Sequence, residues 1–114
     1  MGRIYVPVEV SFNGMKKTTV ALVDTGADET VISEKLANEL QANLYGTYQA
    51  TCASGFLLKG KYSLLSIKEL KEGKEAKIEV GVSDIPFDTD EINEEGLGII
   101  LGVDFIQEAN MKVN

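Results

Sequence analysis

Along residues 4–12 the apolar side chains Ile4, Val6, Val8, Val10 and Phe12 fall at every second position. That is the period of a strand with one buried face. Pro7 lacks an N–H to give to a ladder, so it confines that part of the strand to an edge or a bulge. Asn13-Gly14 follows, a hairpin signal. Thr18–Val23 is β-branched and almost continuously apolar, which predicts a return strand buried on both faces. Asp24-Thr25-Gly26-Ala27-Asp28 interrupts the run, and Thr30–Ser33 is strand-like again. Ser33 is placed to cap a short helix, Glu34–Leu40, with Leu36, Ala37 and Leu40 on one face.

From Tyr45 to Ile67 the chain is β-rich and punctuated by Gly46, Gly55 and Gly60, which predicts successive hairpins. A further hairpin is expected over Leu70–Val82, with Gly73 in its turn and Ala76, Ile78, Val80 and Val82 alternating. Asp88–Gly96 is an acidic loop and Leu97–Leu101 a very apolar strand. Asp104–Ala109 is expected as a short helix and Met111–Val113 as a short final strand. Many short strands with Gly and Asn turns predict one all-β domain over residues 1–114, a barrel or sandwich with one or two short helices.

Composition narrows the chemistry. The chain of 114 residues carries a net charge of −7, with basic residues scattered among acids. That balance argues against nucleic acid as a partner, because neutralising phosphates takes clustered cations. No stretch approaches the ~18 apolar residues that span a bilayer. No signal-peptide h-region opens the chain, and Cys52 is the only cysteine. The expectation is a soluble, cytoplasmic protein without a disulfide or membrane partner. There is no histidine, which removes Ser-His-Asp and Cys-His nucleophiles and every histidine metal site. Hydrolytic chemistry in this chain runs on carboxylates, hydroxyls or amines.

Ala21-Leu22-Val23-Asp24-Thr25-Gly26-Ala27-Asp28-Glu29-Thr30-Val31 closely resembles the active-site loop of retroviral-type aspartic proteases. Downstream, Gly98-Ile99-Ile100-Leu101-Gly102-Val103-Asp104-Phe105-Ile106 is similar to that family's second element, an apolar strand ending in glycine before a short helix. Between them, residues 51–56 stand where the family places the tip of its flap. The resemblance implies an acid-protease closed β-barrel that works as a two-fold homodimer on a peptide or protein substrate. It implies no metal and no organic cofactor.

An aspartate after a buried strand is costly to keep charged without partners. Two facing aspartates share one proton, since they do not both ionise at close range. With one Asp-Thr-Gly in the chain, the second carboxylate comes from another copy. The resemblance makes Asp24 catalytic, with Thr25 bracing the loop pair and Gly26 giving the substrate backbone room. Asp28 contacts the substrate main chain, and Ala27, Val31, Ile99 and Ile100 line apolar pockets. Ser54 and Gly55 contact substrate from the flap. Residues 2–6 and 111–114 interleave with the partner's. The family's arginine after the second-element glycine, which pairs with the residue matching Asp28, is absent. Val103 stands there, and Arg3 is the only arginine. Asp104-Phe105 resembles non-viral, cellular or prokaryotic members instead.

Plainer readings sit beside these. Asp24-Thr25-Gly26 also suits an ordinary turn. Asp104 suits a helix N-cap better than a catalytic group. Cys52 at the flap tip reads as an incidental thiol rather than a redox switch. The acidic loop departs from the EF-hand pattern, with Ile92 at the third ligand position, and reads as solvated. Two other functions remain open. One is a non-catalytic dimeric peptide- or protein-binding module on the same fold, and the other a dimerisation domain of a longer regulatory protein.

Overall fold

The computed structural model describes residues 4–51, 55, 57–83 and 98–113. Their elements in chain order are β1 Ile4–Phe12, β2 Met15–Val23, β3 Val31–Ser33, α1 Glu34–Glu39, β4 Tyr45–Thr51, β5 Leu57–Glu69, β6 Glu75–Ser83, β7 Ile99–Leu101 and α2 Val103–Glu108. Cys52, Ser54, the acidic loop Asp88–Gly96, Leu97 and residues 2–3 and 114 of the expected interleaving termini lie outside the described residues.

β1 and β2 form an antiparallel hairpin from Ile4↔Val23 to Phe12↔Met15. Its turn is the expected Asn13-Gly14, with φ of 49° and 87°, the left-handed pair that matches the twist of the flanking strands. β2 continues the sheet in parallel with β7, β7 pairs β3, β3 pairs β6, β6 pairs β5, and β5 returns to β1. The ring closes a six-stranded barrel, and β4 extends from the outer edge of β5. Closure removes sheet edges and gives each strand one inward face. Pro7 lies just before the β1–β5 pairing, which begins at Val8. Its carbonyl accepts from Leu70 N at 2.9 Å, so only the reciprocal N–H bond is missing, at the end of that ladder.

The interior is filled by Val6, Val8 and Val10 of β1, Ala21 and Val23 of β2, Leu65 and Ile67 of β5, and Ala76, Ile78, Val80 and Val82 of β6. Leu36, Ala37 and Leu40 of the α1 segment and Phe105 of α2 close its ends. The N-cap is as expected: Ser33 Oγ accepts from Leu36 N at 3.1 Å. A second, smaller cluster of Val31, Tyr48 and Leu58 uses the opposite face of β5, with Tyr62 packed edge-to-face on Tyr48 at 5.5 Å.

Three expectations are corrected. β2 is not buried on both faces: Ala21 and Val23 are buried while Val20 and Leu22 are half-buried, because among the described residues no second layer covers that wall of the barrel. The region 45–67 is not a series of hairpins. It is a single hairpin, β4–β5, and Gly60 lies inside the thirteen-residue β5. Gly60 serves close strand approach, since a Cβ there would run into the Val82 carbonyl. Gly46, at φ 69°, sits where the β4–β5 register shifts rather than in a turn. Residues 111–113 form no strand in the single chain, although Met111 and Val113 pack on the core. A strand needs a ladder partner, and no described segment of the same chain supplies one.

Candidate active site

The Asp24 loop is shaped by the strand before it and the segment opposite. The parallel β2–β7 register (Ala21↔Ile99, Leu22↔Ile100, Val23↔Leu101) runs on by one bond, from Asp24 N to Leu101 O at 2.9 Å. The chain then turns sharply. Ala27 N donates to Asp24 O at 3.1 Å, and Gly26 N donates to Asp24 Oδ1 at 2.9 Å. The carboxylate is therefore oriented by its own loop. Asp24 is half-buried, and Thr25 and Gly26 are exposed. A Cβ at position 26 would sit 3.2 Å from Asp24 Oδ1, so glycine leaves the carboxylate its place.

The other end of the loop is held by Thr30, which is fully buried. Its N–H donates to Asp104 Oδ2 at 3.0 Å and its hydroxyl to Asp104 Oδ1 at 2.7 Å. The same hydroxyl accepts from Gly102 N at 3.0 Å, and the Thr30 carbonyl accepts from Gly81 N at 2.9 Å. Between these ends, Val103 N donates to Ala27 O at 2.8 Å. Gly102 passes so close that an added Cβ would lie 2.7 Å from Glu29 O and 2.8 Å from Ala27 O.

Asp104 corrects its expected role. The N-cap of α2 is Gly102, without a side-chain cap bond. Asp104 lies in the first turn, where a carboxylate is favoured by the free N–H groups of the helix start. It accepts from Phe105 N at 2.7 Å as well as from Thr30. Thr30 was not singled out from the sequence. A polar residue opening an apolar strand is the one trace it leaves there.

The expected pocket residues divide. Ala27 and Ile100 are half-buried and Asp28 is exposed. Val31 is buried, in the cluster with Tyr48 and Leu58. Ile99 is fully enclosed in the barrel core. Gly55, exposed and at φ 83°, stands between β4 and β5. Beside the loop, partial burial and the Glu29 and Glu79 carboxylates push the Tyr62 phenol up. Among the described residues no three acidic, cysteine or histidine side chains converge as metal ligands do.

A six-stranded barrel with an Asp-Thr-Gly turn anchored on an apolar strand and a glycine-led helix is the architecture of the aspartic-protease class. The chain belongs to the aspartyl protease family, whose model matches residues 8–105. Among solved structures it is similar to the EIAV protease, determined in complex with the inhibitor HBY-793. The two share 25% identity at a TM-score of 0.66, over 99% of this chain and 93% of that one. No curated protein matches the chain.

Proposed function

We propose that the chain is an aspartic endopeptidase that hydrolyses peptide bonds as a two-fold homodimer, one Asp24 coming from each copy. The observation that carries this reading is the Asp24 turn. Asp24 is only half-buried, its carboxylate is fixed by Gly26 N, and its backbone is pinned to β7. A second copy related by a dyad would bring two such carboxylates together. Close carboxylates hold one proton between them and titrate as a unit. The ionised partner takes a proton from a bound water as the water adds to the scissile carbonyl. The protonated partner donates to the carbonyl oxygen. The resulting tetrahedral diol collapses as the leaving nitrogen is protonated, with no covalent enzyme intermediate.

In this reading Thr25 braces the paired loops and Gly26 admits the substrate backbone. Asp28 binds the substrate main chain, while Ala27, Ile100 and the rim of Val31 contact its side chains. Ser54 and Gly55 belong to the flap. The dimer draws on the terminal segments, where Ile4, Val6, Met111 and Val113 line one groove, and on exposed Leu70 in the β5–β6 turn beside it. The whole of 1–114 serves as one protease domain acting in the cytoplasm. Among the described residues no helix is long and apolar enough to cross a membrane.

Val103, in place of an arginine beside Asp28, favours a second reading: a dimeric peptide-binding module without turnover. Cleavage of a mixed peptide library by the wild type, lost in Asp24→Asn while dimerisation persists, supports the protease. Binding of the same peptides without cleavage supports the module.

A further inference from the structure

Four consecutive residues, 101–104, each grip the Asp24 loop. Leu101 offers its carbonyl to Asp24 N, Gly102 its N–H to the Thr30 hydroxyl, Val103 its N–H to the Ala27 carbonyl, and Asp104 its carboxylate to Thr30. All of these contacts lie within one chain. Val103 contributes backbone only, so its side chain is free to differ from the arginine of the retroviral pattern. Thr30 is the hub: its N–H, carbonyl and both roles of its hydroxyl are used.

From this we propose that Asp104, acting through Thr30, is a positioning residue that fixes the Asp24 loop from inside its own subunit. The consequence for catalysis rests on the protease reading above. The clamp makes the loop's shape a property of one chain, and the partner then adds its carboxylate to a loop already formed. The chemistry of the pair is specific. Asp104 receives three donors, Thr30 N, Thr30 Oγ and Phe105 N, which an acceptor-only carboxylate satisfies. An asparagine would turn N–H groups toward one of them. Thr30 both donates and accepts, so valine keeps its shape and loses both bonds, whereas serine keeps them.

The test compares wild type with Thr30→Val, Asp104→Asn and Thr30→Ser. Two readouts are taken: amide hydrogen exchange by NMR, and kcat and KM on a cleaved library peptide. In Thr30→Val and Asp104→Asn, exchange at Gly26, Ala27 and Val103 should rise about tenfold or more, with Leu65 and Val80 in the barrel unchanged. kcat should fall on the order of 10²-fold with KM within about threefold, as expected when a reacting group is misplaced. Thr30→Ser should restore both.

Wild-type exchange and kcat in both damaged variants would overturn the proposal. So would loosening of loop and barrel together, which marks a merely structural role. If Thr30→Val does not fold, the near-isosteric Asp104→Asn decides the matter. If the wild type cleaves nothing, the protease reading fails, and the exchange data still decide whether the clamp holds the loop.

Discussion

Glycine at position 26 is set by one distance, the 3.2 Å that would separate an added Cβ from Asp24 Oδ1. Gly26→Ala should therefore lower kcat by about 10-fold or more while leaving the melting temperature nearly unchanged, since the site is exposed and the penalty falls on carboxylate placement. Asp24 and its neighbours were legible in the sequence because their types and spacing are distinctive. Thr30 and Glu69 were not, because their importance comes from burial, which no local pattern reports. Glu69 is 2% exposed, and its carboxylate accepts from Lys71 N at 2.9 Å and Glu72 N at 2.6 Å, tying the β5–β6 turn. Removing that acceptor takes two charge-assisted bonds from the turn, so Glu69→Ala should cost about 1–2 kcal/mol in urea unfolding with the m-value unchanged. Tyr45 gives a titration at the same scale. Its hydroxyl donates to Glu79 at 2.6 Å, and that bond, followed by desolvation and the carboxylate's charge, raises the phenol above 10.0. A raised acid favours the folded state while both states are protonated. Its contribution is thus full below pH 10.0 and is lost as pH rises through the folded value. Ultraviolet titration should show two late phenols, Tyr45 and Tyr62, and Glu79→Gln should move the Tyr45 phenol back toward its ordinary range.

Elements with a clean period were readable in advance. β1, its Asn-Gly turn, α1 with its Ser33 cap, and the alternation of β6 need only local chemistry. Ser33→Ala tests the cap on its own, with an expected loss of about 1 kcal/mol and a fall in melting temperature of about 4 °C. Glycines misled where they serve packing. Gly60 lies mid-strand because Val82 passes against it, and a sequence shows the missing side chain without the neighbour that demands it. The β2 run misled for a related reason. Val20 and Leu22 look like core, yet burial on the outer face requires a covering layer, and among the described residues none covers it. In the dimer reading, those half-covered apolar positions, with Ile4 and Leu70, are surface for a second copy of the chain.

For the molecule as a whole, the barrel explains why residues far apart in sequence meet. Closing β1 on β5 and threading β7 between β2 and β3 brings 101–104 onto the loop begun at Asp24. In the dimer reading, catalysis depends on mass action, so activity per chain should fall on dilution through the dimer dissociation constant, tracking the dimer fraction seen by sedimentation. The most direct test of the central claim is peptide-library cleavage across acid to neutral pH by wild type and Asp24→Asn at matched dimer concentration. The wild type should cleave, with a loss of about 10³-fold or more in the equally dimeric variant, because a shared-proton pair loses its base. Undiminished cleavage by Asp24→Asn, or none by a folded, dimeric wild type at any pH, would contradict it.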